Sequence, residues 1–258
     1  MTRPYLTLIF CLFILSIYGQ QTALEIVNES YRVEKYLADD GLAKADMQIK
    51  NADGKTTMER SLVILRKNAE GLNQKWYAYF KSPADIRRMV FMAWKNPGAD
   101  DDRWLYLPAL DLVKRLSGSD KRGSFVGSNF VYEDITGRYP ALDKHSITSE
   151  DDKAYLITSM PIKSDVEFSK YETTIDKSNF VVMERLYFNK QGKPSRKYTA
   201  DKVESIQGFP TVTKFTMTDM ESGESTVTSF SEIKYNVGLP DNVFSEASLR
   251  RSPRKWVR

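Results

Sequence analysis

Few residues in this 258-residue chain have the chemistry to catalyse a reaction or bind a metal. His145 is the single histidine, and it stands in "LDKHSIT", at the edge of an expected strand. A general base needs a partner to orient it, and nothing in the spacing around His145 supplies one, so the residue reads more simply as a solvated strand position. Cys11 is the single cysteine. With one histidine and one cysteine, a zinc site would have to be built mainly from carboxylates, which is unusual. No G-x-S-x-G elbow, phosphate-gripping glycine loop or Cys–His pair occurs. The acidic run "GADDD" at 98–102 lacks the spaced oxygen ligands and closing glutamate of a calcium loop. It reads as a solvated acidic turn. A pair of carboxylates acting as acid and base would leave no mark in the spacing. No cofactor is expected, and the chain reads as a non-enzyme.

The chemistry that does concentrate is aromatic and basic. Residues 101–135 place Trp104, Tyr106, Phe125, Phe130 and Tyr132 among glycines, serines and charges, with no histidine or cysteine. A stretch of this kind suits binding: aromatic rings carry a large apolar surface, and those of Trp and Tyr also have a polar edge.

The elements around it follow from the pattern. Residues 1–20 read as a secretory signal peptide. Arg3 gives the positive start, "LTLIFCLFILSI" the apolar run, and Gly19 a small residue before the cut. The apolar run is shorter than the roughly 20 residues a membrane-spanning helix needs. Cys11 lies inside it, so the chain after cleavage would hold no cysteine and form no disulfide, although an exported compartment would permit one. Residues 21–258 are expected to form a single domain, with an apolar core as its source of stability. The formal charge of +4, lowered by one with the loss of Arg3, is too mild for a nucleic-acid binder.

A helix is expected over 22–41. Thr22 and Glu25 have capping-box spacing, Leu24, Val27, Tyr31 and Leu37 mark an apolar stripe, and Gly41 is placed to stop it. Beyond it the period falls to two. "LAKADMQIK" and "TTMERSLVILRK" flank the hairpin signal "NADG", and serial strands separated by short turns continue towards the C-terminus. Consecutive strands of this kind make a meander, a large antiparallel sheet curled into a barrel or half-barrel. "KWYAYFK" at 75–81 and "RRMVFMAW" at 87–94 carry large apolar groups on both faces. Such strands are covered on both sides, either by helices packed on one face or by a concave apolar cavity. Methionines 89, 92, 160, 183 and 217 stand in strand contexts, where they fill a core or adapt to a variable ligand. The basic tail at 248–258 reads either as a solvated terminus or as a contact with anionic lipid or an acidic transporter surface.

"DDDRWLYLPALDLVKRL" followed by "SDKRGSFVGSNFVYEDI" closely resembles the LolA-like outer-membrane lipoprotein-sorting family, in the branch that accompanies resistance-nodulation-division (RND) transporters. Trp104, Leu105, Tyr106, Leu107, Pro108, Ser124, Phe125, Gly127, Phe130, Tyr132, Glu133 and Asp134 carry the match. Two departures stand out. Asn129 replaces an aspartate, and Arg87-Arg88 replaces a glycine-containing stretch.

The resemblance implies a mainly β (α+β) fold: a curved antiparallel sheet forming an unclosed half-barrel, with helices covering its concave face. It also implies a monomeric periplasmic carrier of lipid or lipoprotein acyl chains, working beside an RND-type transporter. The alternative is a periplasmic lipid-sensing module that regulates a transporter or envelope signalling partner. On the carrier reading the strands would offer Trp76, Phe91, Met92, Trp94 and Met183 to the lipid. The aromatic stretch would add Trp104, Leu105, Leu107, Phe125, Phe130 and Tyr132. Residues 117–127 would open and close as a lid, hinging at Gly118, Gly123 and Gly127. Lys114, Arg115, Lys121 and Arg122 would meet an anionic head group or a protein partner.

Overall fold

The computed structural model describes residues 21–258; the expected signal peptide and Cys11 lie outside the described residues. Helix α1 (Ala23–Lys35) starts as its sequence dictates, with the Thr22 side chain accepting from the Glu25 N–H and Glu25 reaching back to the Thr22 N–H. It stops earlier than expected, capped by Tyr36 rather than Gly41. Leu24 also falls off the buried stripe and is exposed, while Ile26, Ser30 and Val33 are buried.

Thirteen strands follow. The first six are β1 (Asp40–Lys50), β2 (Thr56–Asn68), β3 (Gln74–Ser82), β4 (Val90–Lys95), β5 (Asp102–Leu107) and β6 (Leu112–Leu116). The other seven are β7 (Asp143–Glu150), β8 (Ala154–Pro161), β9 (Phe168–Asp176), β10 (Val182–Asn189), β11 (Pro194–Ile206), β12 (Phe209–Asp219) and β13 (Ser225–Tyr235). They form one antiparallel sheet in the order β6-β5-β4-β3-β2-β1-β13-β12-β11-β10-β9-β8-β7. The two meanders join where β1 pairs with β13, and β6 and β7 are left as free edges. The sheet is therefore an unclosed, mostly β half-barrel, as the serial strands imply. The short strand β6 was not legible in the sequence, because five residues with a central Lys-Arg carry too little alternation.

The chain must travel from one free edge to the other, and residues 117–142 make that crossing. They contain the short helix α2 (Tyr132–Thr136) and a tight turn in which the Phe125 N–H donates to the Phe130 carbonyl at 2.7 Å. Ser128 closes the turn, its Oγ donating to the Phe125 carbonyl. Phe125 and Phe130 project from this turn into a core that includes Phe80, Phe91, Ala45 and Leu62. The crossing segment therefore plugs one half of the concave face.

The opposite face of β2–β5 is covered by the C-terminal segment. Val63, Tyr77, Val90, Met92 and Trp104 pack against Leu239, Phe244, Leu249 and Val257. This accounts for the two-sided strands: Phe91 and Ala93 face the crossing segment, Val90 and Met92 face the C-terminal segment. It also corrects the reading of the tail as a free terminus. Helices α3 (Ala247–Arg250) and α4 (Arg254–Val257) dock through Leu249 and Val257, while Arg250, Arg251, Arg254 and Lys255 stay exposed.

Arg88 explains one departure from the family pattern. Its φ is +73°, the left-handed region that favours glycine, and its N–H donates to the Phe80 carbonyl at 2.9 Å. The position has a glycine-type backbone and carries an arginine. Arg88→Gly is expected to raise stability by about 0.5–1 kcal/mol, since relief of roughly 1–2 kcal/mol of strain exceeds the entropy that glycine adds to the unfolded chain. A thermal melt with an upward shift checks this.

Candidate lipid-binding cavity

A cavity of about 280 Å³ lies between α1, the crossing segment and the concave face of β1, β2 and β9–β13. The strand register builds its floor. Arg185, Tyr198, Met217 and Thr226 are successive cross-strand partners on β10–β13, and Phe230, Ala45 and Leu62 are successive partners on β13, β1 and β2. Residues facing each other in this way share one side of the sheet. Phe215, Met217, Phe230, Ala45, Met47 and Leu62 make the apolar part, and Val27 and Tyr31 of α1 face them. Phe125 and Phe130 form its cover. Phe125 packs against Phe80, Phe91 and Tyr132 with ring centroids 5.8, 5.6 and 5.5 Å away, and Phe130 meets Phe215 edge-on at 5.6 Å.

The cover is held down by polar contacts at several points. The Asn129 N–H donates to Thr226 Oγ1 at 3.0 Å, and that hydroxyl donates to Asn129 Oδ1 at 2.7 Å. Asn129 thus ties the turn to β13 through its backbone N–H and its side-chain oxygen. Arg122 pairs with Glu133 and Glu167, Arg138 with Asp143 at 2.9 Å, and Arg196 of β11 with Asp134 of α2. The Tyr171 hydroxyl donates to Asp143 Oδ2 at 2.7 Å. At the far end of α2, Lys95 Nζ donates to the carbonyls of Thr136 and Gly137 and lies 4.2 Å from the Tyr139 ring centroid. Burial drives the Lys95 ammonium down to about 7, against the pull of Asp101.

Gly137 makes that last latch possible. Its φ is +82°, and a Cβ there would stand 2.8 Å from Lys35 Cε. Of the expected hinge glycines, only Gly127 has a positive φ. Val126 beside it also has one, +51°, which a β-branched residue adopts only under strain.

The structure separates the expected lipid-binding residues into four groups. Trp76, Phe125 and Phe130 line the cavity. Phe91, Leu105, Leu107 and Tyr132 belong to the packed core beneath the cover and do not line it. Met92, Trp94 and Trp104 face the other way, which corrects their assignment: Trp94 Nε1 donates to the Phe244 carbonyl, and the Trp94 and Trp104 rings meet at 4.9 Å. The strict alternation of a strand sends Met92 and Trp94 away from Phe91. Met183 is half-buried outside the cavity, beside the irregularity between Val182 and Glu184 that shifts the register of β10.

Among the four expected head-group cations, only Arg122 reaches the cavity, and its two carboxylates already engage it. Lys114 and Arg115 sit on β6, with Arg115 paired to Asp102 and set over Trp104. Lys121 lies in a 3-10 turn outside the lining.

His145 holds structure together: Nε2 faces the Pro140 carbonyl at 2.9 Å and Nδ1 the Ser159 hydroxyl at 2.8 Å. In the acidic turn, Asp101 pairs with Arg103 and Asp102 with Arg115. Among the described residues, no cluster of three or more His, Cys, Asp or Glu side chains is placed to hold a metal ion.

This fold is shared with known structures. A DUF1329-family protein from Desulfovibrio piger superposes with a TM-score of 0.81 at 26% identity, over 88% of this chain and 97% of its own. An outer membrane lipoprotein-sorting protein domain from Vibrio parahaemolyticus gives 0.81 at 25%, over 89% and 98%. A LolA superfamily protein from Nitrosomonas europaea gives 0.69 at 20%, over 88% and 99%, a likeness of fold. Residues 72–251, well over half of the chain, match the model of a family described as uncharacterized proteins. The chain belongs to this family. No curated protein matches it. The segment matched by the family model contains the whole crossing segment and the strands β3–β13, and so most of the cavity wall.

Proposed function

We propose that this LolA-like protein is a periplasmic carrier that holds acyl chains of lipids or lipoproteins in its cavity and moves them between envelope membranes, with an RND-type transporter as its inner-membrane partner. The observation that carries the reading is the partly open, mainly apolar space roofed by Phe125 and Phe130. A volume of about 280 Å³ sits near the lower end of small-molecule pockets, which run from roughly 300 to 1,000 Å³. A longer chain would need the cover to lift. Each methylene moved from water into such a space is worth about 0.8 kcal/mol, so ten contribute on the order of 8 kcal/mol before ordering costs. Exposed ion pairs give at most about 1 kcal/mol each, so the apolar wall must supply most of the affinity. The Vibrio domain named for lipoprotein sorting supports the same reading, and the protein binds its ligand on this account without transforming it.

Native mass spectrometry of protein purified from its own envelope, followed by lipid extraction, tests the proposal. Bound lipid that passes to acceptor vesicles is expected. Protein that carries no lipid and takes up none from donor vesicles would overturn it.

A further inference from the structure

One side of the cavity is charged, and its charges are unevenly paired. Arg122, Arg138 and Arg196 each have a carboxylate in close contact. Arg185 does not. Its nearest acid is Glu34, with Nη2 and Oε2 3.8 Å apart, and Glu34 is already taken by Lys35 at 2.8 Å. Burial works against the Glu34 charge, but Lys35 and Arg185 outweigh it and hold the carboxyl down at about 2. The guanidinium's hydrogen bonds go to hydroxyls, from Nε to Thr173 Oγ1 at 3.3 Å and to the side chain of Tyr187. The planar fork of Nη1 and Nη2 donors, the part of arginine that matches a carboxylate or phosphate, therefore lacks a matching anion inside a ligand-sized cavity.

A second observation falls in the same place. Ser30 is 3% exposed and lines the cavity, yet its Oγ has no hydrogen-bond partner. Buried hydroxyls are normally satisfied. Ser30 stands one helical turn before Glu34, so the two share a face of α1, and that face looks onto Arg185. The rings of Tyr171, Tyr187 and Tyr198 complete the surround, with Arg185 set 5.7 Å from the Tyr171 centroid. From Arg185 on β10 the floor runs through β11, β12, β13 and β1 to Leu62 on β2. At about 4.8 Å per strand this is roughly 24 Å of curved surface, and beyond Tyr198 it becomes apolar.

We infer that the preferred ligand is an anionic amphiphile, its carboxylate or phosphate held by Arg185 and Ser30 and its tail laid across β11–β13, β1 and β2 beneath Phe130. This rests on the carrier reading and narrows it to a ligand class. Glu34 opposes an incoming anion, and Lys35 offsets it. The assignment also moves head-group recognition from the outer cations of β6 to the inside of the half-barrel.

The test uses the full chain and three single-tailed probes: oleate, 1-oleoyl lysophosphatidate and methyl oleate. Wild type is expected to bind at least one anion roughly tenfold more tightly than the ester, as a charge-assisted pair should give. The tighter of the two anions identifies the source as fatty acid or phospholipid. Arg185→Gln is expected to erase the preference by weakening the anions far more than methyl oleate. Arg185→Lys, whose thermal melt checks folding, keeps part of it. Equal binding of anions and ester by wild type, or a preference that survives in Arg185→Gln, overturns the inference alone. Failure of all three probes overturns the carrier reading, and this inference with it.

Discussion

Phe125→Ala is expected to lower the stability of the closed protein by about 3–5 kcal/mol, the range for truncating a buried phenylalanine. The ring is 1% exposed and touches three other aromatic rings from β3, β4 and α2. Alanine would leave a void between the crossing segment and the sheet, and the positive-φ turn at Val126-Gly127 gives the backbone little freedom to fill it. The loss should be concentrated in residues 117–142, with faster hydrogen exchange there than in β11–β13 and weaker binding of an acyl probe. Urea unfolding with exchange mass spectrometry makes the measurement. A loss under about 1 kcal/mol would mean the ring is not the anchor it looks to be. Serine at Phe125 or Phe130 would damage the fold as well as binding, because both rings are core residues as well as cover, and a buried serine adds an unpaired hydroxyl.

Lys95 should make stability depend on pH near neutrality. Its side chain is 1% exposed, and burial lowers its pKa to about 7, whereas an unfolded lysine titrates near 10.4. Between those values the unfolded chain binds more protons than the folded one, so stability rises with pH. The slope is at most about 1.4 kcal/mol per pH unit. Below pH 7 both states hold the proton and the contribution is flat. In Lys95→Met the rise from pH 7 to 9 should vanish, whatever offset the two stranded carbonyls of Thr136 and Gly137 add. Urea titrations at pH 7, 8 and 9 on both proteins give the comparison. A wild-type profile as flat as that of the variant would show that Lys95 keeps its ordinary affinity for protons.

Much of the fold was legible because its determinants are local. The capping box of α1, the Asn-Ala-Asp-Gly turn between β1 and β2 and the alternation in β12 each act over a few residues. Two-sided burial of β3 and β4 was legible too, but its cause was not. Nothing in "RMVFMAW" tells whether Phe91 or Met92 faces the crossing segment, because one strand has no inside until the whole sheet curls. The docking of the C-terminal tail was hidden by its charges, since Leu249, Val257 and the half-buried Trp256 are spread among five basic residues. The cavity was half visible. Phe125 and Phe130 stood out in the aromatic stretch, whereas Phe215, Phe230, Tyr198 and Arg185 come from four separate strands and meet only through register. Alternation put Phe215 and Met217 on a common face. No feature of sequence alone showed that this face was concave.

The most direct measurement is photo-crosslinking with a palmitate analogue that carries a diazirine midway along its tail, followed by peptide mapping of the adducts. The account predicts adducts on the cavity wall, at Met47, Leu62, Phe215 or Phe230. It is contradicted if no adduct forms, or if the adducts fall on the exposed Leu110 and Leu112 while the cavity wall remains unlabelled.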